Sequence, residues 1–121
     1  LERLKIEALA ISKMRRELDG KLLITYVDQD MLKQTGAFMY ETDRIVNLMR
    51  AIKGTEVSVL VKEYEKSVIK VSMRSKSFAD VAKVAEKFGG GGHIRASGFV
   101  TNDTFENIKD SLIKEAGAAL G

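Results

Sequence analysis

Between residues 89 and 98 the chain reads Gly-Gly-Gly-Gly-His-Ile-Arg-Ala-Ser-Gly. Four consecutive glycines are costly to order, because glycine loses more conformational freedom than any other residue. A plain turn needs only one or two. The run therefore predicts positive φ angles, or backbone that passes close to a ligand or to another segment. Successive exposed N–H groups from Gly90, Gly91 and Gly92 can form an anion-binding nest. His93 follows directly and is the only histidine. An imidazole there can donate to a phosphate or stack on a base. The competing readings are a flexible connector for the glycines and a structural hydrogen bond for His93. A phosphate-binding P-loop is excluded: its Gly-Lys-Ser/Thr ending is absent. The run also follows a predicted helix C-terminus, whose dipole disfavours anions.

A second cluster lies upstream at Arg74-Ser75-Lys76. Lys70, Ser72 and Arg74 share one face of a predicted strand by period-two alternation. The planar fork of Arg74 suits bidentate contact with phosphate, and Ser75 adds a hydroxyl donor. Arg95 places a further cation beside the glycines. A solvated strand face would explain the same row. Thr42 and Asp43 read as helix caps, and Asn47 lies one turn beyond. No pair of carboxylates stands out for acid–base work, and no Asp/His cluster has metal-ligand spacing. One histidine and no cysteine give no nucleophile arrangement. Phosphodiester hydrolysis usually recruits metal ions, so these residues read as a binding module with no catalytic or metal-ligating set.

The elements that must position them follow from pattern. Leu4, Ala8, Ile11 and Leu18 predict a helix over residues 1–18, closed by Asp19-Gly20. Residues 21–27 are apolar on both faces, like a buried strand. Residues 28–35 predict a short helix or turn closed by Gly36, and 43–53 a helix capped by Thr42. Residues 55–62 and 69–74 alternate and predict an antiparallel hairpin with one buried face. Ser77 and Asp80 predict the start of a helix over 78–88 with Phe78 on its apolar face. Phe99–Thr101 reads as a strand. Asp103 and Glu106 read as the cap and third residue of a closing helix that carries Phe105, Ile108, Leu112 and Ala116. The class is α+β, or α/β-like: a single domain with a mixed sheet of about four to five strands flanked by helices.

The chain has 121 residues, enough for one core, and a net charge of +3. So mild an excess does not indicate a duplex-wrapping protein and is compatible with a small anionic ligand held by a few local charges. No apolar run is long enough to span a membrane, and the absence of cysteine suits the cytoplasm. Leu1 and the charged opening resemble neither a signal peptide nor a natural start. They read as a piece of a longer chain.

Residues 88–98 also resemble the GGGH-x-x-A-[AS]-G signature of the C-terminal DHH-associated domain found in bacterial DHH-family phosphoesterases. Residues 70–76 resemble that family's strand ending in Arg-Ser, and 80–85 its linking helix. Residues 41–47 resemble a helix of the branch that includes nanoRNases (oligoribonucleases) and cyclic-dinucleotide phosphodiesterases. The resemblance implies that residues 21–121 are the substrate-binding domain and 1–20 a linking helix from an N-terminal catalytic domain. That catalytic half carries the Asp-His-His motif and two metal ions, commonly Mn2+. This fragment is then expected to bind no cofactor and to be inactive alone. The resemblance assigns substrate contact to Arg74, Ser75, Gly90, Gly91, Gly92 and His93, with Arg95 beside them and Ala96 keeping room near the loop. Ser97 stands where many relatives have Ala. The implied ligands are short RNA, dinucleotides or phosphoadenosine nucleotides. The alternatives are the C-terminal domain of a cyclic-dinucleotide phosphodiesterase, or a stand-alone nucleotide- or RNA-binding module. Related domains also occur in longer-strand exonucleases and in the C-terminal region of alanyl-tRNA synthetase.

Overall fold

The computed structural model describes residues 1–121. Five helices and six strands follow in the order α1 (Glu2–Ser12), β1 (Arg15–Glu17), β2 (Leu22–Val27), α2 (Gln29–Thr35), a 3-10 turn (Met39–Thr42), α3 (Ile45–Arg50), β3 (Val57–Glu65), β4 (Val68–Ser75), α4 (Val81–Glu86), β5 (Gly91–His93), β6 (Ala96–Thr101) and α5 (Phe105–Ala118). The strands form one mixed sheet in the order β1-β2-β3-β4-β6-β5. Only β2 and β3 are parallel, and the segment between them carries α2 and α3. The mixed α+β class is as expected, with six strands because each edge adds a three-residue strand.

Two apolar layers sandwich the sheet. On one face α4 and α5 cover Leu22, Ile24, Val57, Val59, Val61, Val71, Met73 and Phe99. On the other, α1, α2 and α3 cover Leu23, Val27 and Leu60. Buried hydroxyls fasten that second layer. Thr25 Oγ1 donates to the Ala10 carbonyl at 2.6 Å, and Ser58 Oγ donates to the Val46 carbonyl at 2.7 Å. Glu7, itself buried, accepts two hydrogen bonds from the Arg44 guanidinium at 2.8 and 2.7 Å, tying α1 to the start of α3.

Several sequence expectations are corrected. The first helix stops at Ser12 rather than Leu18, and residues 15–17 pair antiparallel with β2. Leu18, Asp19 and Gly20 have positive φ and turn this hairpin instead of capping a helix. Leu4 is exposed; Ile6 and Ala10 are the buried apolar positions. The β3–β4 hairpin is present, but β3 is buried on both faces because helices stand on each side. Thr42 does not cap α3; its hydroxyl donates back to the Met39 carbonyl inside the 3-10 turn. The helix read over 78–88 begins only at Val81, capped by Asp80, and Phe78 is exposed. Thr104 rather than Asp103 caps α5.

Candidate functional site

The helices of the second layer cover only half of their sheet face. Strand alternation puts Ser58, Leu60 and Lys62 of β3 on that face, under α3. In register beside them stand Arg74, Ser72 and Lys70 of β4, then Ala96, Gly98 and Val100 of β6. On β5, His93 and Gly91 complete the rows, opposite Ala96 and Gly98. On this side α3 crosses part of β4, and no helix lies over β6 and β5. The result is an open groove with a floor of small residues, walled on one side by α3. A depression of about 420 Å³ over β4, β6 and β5 is lined by Lys70, Ser72, Arg74, Gly91, Gly92 and Ala96, among others. A second, of about 270 Å³ against α3, shares Lys70, Ser72 and Arg74 with it and adds Asp43 and Lys62. The two are therefore one continuous channel.

Arg74 is its centre. The guanidinium is half-buried and donates to the Met73 carbonyl at 2.9 Å, and no carboxylate pairs with it. Burial and then the neighbouring charge of Arg50 push its pKa below the usual arginine value. Two uncompensated cations held together in a partly dry place are an unfavourable arrangement that a bound anion relieves. Arg50 sits at the last residue of α3, with its guanidinium 3.5 Å from the Ser75 carbonyl. Sequence reading missed it, because only the packing of α3 against β4 brings it there.

Each glycine of the run has its own reason. Gly89 has φ +85 and its N–H meets the Glu86 carbonyl, while the Gly90 N–H meets the Ala85 carbonyl. This pair of bonds is a Schellman closure of α4. A Cβ on Gly90 would lie 2.2 Å from the Gly98 carbonyl oxygen, and one on Gly92 (φ +140) 2.6 Å from that of Ala96. Both positions are glycine because β6 passes too close. Gly91 differs: a Cβ there would meet nothing within 4 Å, and the residue faces the channel. The close approach foreseen from the run is thus made by the chain's own β6 at two positions, while at Gly91 the fold itself demands no glycine.

The remaining expected residues separate by role. His93 is exposed on the rim, in the same row as Ala96 and Arg74. Ala96 lines the floor. Ser75 alternates to the opposite face and is buried, donating to the Ile94 carbonyl at 3.3 Å and accepting from Arg95 at 3.2 Å. Arg95 spends its guanidinium on the fold as well, donating to the carbonyls of Ala79 and Ser77 at 2.6 Å each. These two residues hold the 93–96 hairpin against the end of β4 and do not point into the channel.

Glu56, which sequence reading did not single out, completes this scaffold. Its buried carboxylate accepts from the backbone N–H groups of Ser77, Phe78 and Ala79 and from the Ser77 hydroxyl. Burial alone would raise its pKa, but these donors outweigh that and hold it at about 2. The loop after Arg74-Ser75 is clamped by an anion on its N–H side and by Arg95 on its carbonyl side. No group of three or more His, Cys, Asp or Glu side chains is placed to hold a metal ion. No helix is long and apolar enough to cross a membrane.

Comparison with known proteins bears on the family and the fold. A family model described as the DHHA1 domain matches residues 19–121. The bifunctional oligoribonuclease and PAP phosphatase NrnA of Thermus thermophilus is 41% identical over 58 residues, 48% of this chain and 18% of that protein. Among solved structures, an exopolyphosphatase-related protein from Bacteroides fragilis superposes with a TM-score of 0.85 at 23% identity, over 99% of this chain and 36% of its own. The pGpG-specific phosphodiesterase PggH of Vibrio cholerae gives 0.60 at 13% identity, over 98% of this chain and 41% of its own. The C-Ala domain of Aquifex aeolicus alanyl-tRNA synthetase gives 0.61 at 14% identity, over 85% of this chain and 98% of its own. The structural likenesses speak to the fold. The chain spans well under half the length of NrnA and of the first two of these structures.

Proposed function

The chain belongs to the DHHA1 domain family, and from that premise we propose that it is the substrate-binding part of a DHH-family phosphoesterase that hydrolyses short oligoribonucleotides or phosphorylated adenosine nucleotides. In this reading Arg74 grips a phosphate from the channel floor and His93 approaches it, or an adjoining base, from the rim. The bare backbone at Gly91 and Gly92 and the small side chain of Ala96 let the ligand lie close to the sheet. Gly90, Ser75 and Arg95 act indirectly, by fixing the hairpin that carries His93. Metal ions, Mn2+ the expected one, would be held by a catalytic half in the same protein and would there supply the activation of water. This half supplies position, which alone can account for a large share of a barrier. The residues of this chain do not fit a metal ion, so the isolated domain is expected to hydrolyse nothing.

The observation that carries the reading is the uncompensated Arg74 cation, in register with Ala96 and His93 across three strands and lining an open channel. The oligoribonuclease and PAP phosphatase activities named for the Thermus relative support the ligand class. The test is titration with a fluorescently labelled RNA dinucleotide in EDTA. Binding is expected, weakened about tenfold or more by Arg74→Ala, as for loss of a charge-assisted hydrogen bond. His93→Ala is expected to weaken it as well. Affinity unchanged in both variants would overturn the reading.

A further inference from the structure

Two large aromatic rings stand together in solvent outside the channel. Phe38 and Tyr40 are 64% and 66% exposed and stack on each other, with ring centroids 5.7 Å apart and planes 9° from parallel. Their segment is held in place locally. The Phe38 N–H donates to the Glu41 carboxylate at 3.0 Å, and the Glu41 N–H donates to the Phe38 carbonyl at 2.9 Å. A contiguous apolar patch fixed in water is a feature of binding surfaces rather than of ordinary exposed side chains. The pair lies where the channel ends. Asp43, just after the 3-10 turn, lines the depression against α3 and meets the Lys62 ammonium at 2.6 Å. A separate depression of about 380 Å³ is lined by Gln29, Leu32, Lys33, Gly36, Phe38 and Met39, among others. Its α2 residues recur at helical spacing, so it runs along that helix from Gln29. Gln29 Nε2 donates to the carbonyls of Glu63 and Tyr64 at 2.7 and 3.1 Å. The two depressions therefore adjoin consecutive residues of β3, Lys62 and Glu63. The lining of the second holds one cation, Lys33, and no carboxylate. Lys33 is exposed and takes part in no ion pair.

We infer that the Phe38–Tyr40 pair is a stacking platform for an unpaired nucleobase. Single-stranded RNA too long for the channel leaves it past Asp43 and lays a base on the outer face of the pair. This rests on the reading of the Arg74 site above and extends its ligand from dinucleotides to longer single strands. Each ring gives one face to its partner and keeps the other for the ligand. Stacking tolerates any base, because every base has a π face. The platform therefore responds to the length of the strand and not to its sequence. Lys33, in the adjoining depression, supplies a charge for the backbone that carries the stacked base.

The test is calorimetric titration in EDTA with di-, tri-, tetra- and pentaadenylate RNA. Affinity should step up by about tenfold or more at the length whose terminal base reaches the platform. Removing the base of that terminal nucleotide, with the phosphates kept, should cost the whole step. The cost should be the same at low and high salt, because the two ligands carry the same charges. Phe38→Ala and Tyr40→Ala should each remove the step and leave diadenylate binding unchanged, and removal of the base should then cost nothing. Tyr40→Trp should retain the step. Equal affinities across the series, a terminal base whose removal costs nothing in wild type, or a step that survives both alanine substitutions would overturn the platform. The last result would give the two rings to a contact with another protein segment. In each case a loss of diadenylate binding in Arg74→Ala would leave the Arg74 site standing. Failure of every ligand to bind would remove both.

Discussion

Replacing Glu56 by Gln tests the scaffold beneath the channel. The wild-type carboxylate has a pKa of about 2 in the fold against 4.5 as an ordinary glutamate. A lowered folded-state pKa means that the unfolded chain takes up a proton first as the pH falls. The stabilisation is therefore fully present above about pH 4.5 and is lost between there and about pH 2. The shift corresponds to at most about 3 kcal/mol, and to about 2 kcal/mol once solvent screening is allowed for. In a domain of this size that is a fall in Tm of roughly 6–10 °C. Glu56→Gln keeps one acceptor oxygen but turns an amide N–H2 toward backbone N–H groups, so it should show most of this loss at neutral pH. Thermal melts of wild type and variant at several pH values from 7 to 2.5 provide the assay. The two Tm curves should be well separated at pH 7 and should converge as the pH falls below 4. Parallel curves, with the same gap at every pH, would refute the assignment of acid sensitivity to this carboxylate.

Three further predictions concern the glycine run and its hairpin. Gly90→Ala should destabilise or unfold the domain in a chemical denaturation experiment, since its Cβ would overlap the Gly98 carbonyl and Phe99. Gly91→Ala should leave the denaturation midpoint near wild type and weaken dinucleotide binding. Ser97→Ala removes a buried hydrogen bond of 2.6 Å to the Val81 carbonyl and should cost about 1 kcal/mol in the same experiment, with dinucleotide affinity unchanged.

What could be read in advance was whatever a local pattern encodes. The alternation through 55–62 and 69–74 located β3 and β4, because period two survives whatever packs on either side. The apolar run at 21–27 likewise announced β2. β1 was hidden: Arg15–Glu17 is a charged edge strand whose pairing is supplied by β2, so its own residues carry no β pattern. The channel was legible in part. Arg74, Ala96, His93 and the row through Lys70 are local to two motifs. Arg50, Lys62 and Glu56 are not, because their roles depend on α3 crossing β4 and on the loop after β4 folding back onto the start of β3. Ser75 shows the converse: adjacency to Arg74 in the motif suggested a shared role, yet neighbours along a strand face opposite ways.

The two ends of the strand order bear on how this domain behaves in a crowded solution. A six-stranded sheet would ordinarily offer two rows of unpaired backbone groups on which a second sheet could grow. Here each terminal strand is three residues long. One carries Arg15, Arg16 and Glu17. The other is two glycines and a histidine beside a tight turn, too short and too weakly β-forming to template another strand. The same compact glycine hairpin that borders the channel therefore also shields the edge of β6 along Ala96–Gly98 from a foreign strand.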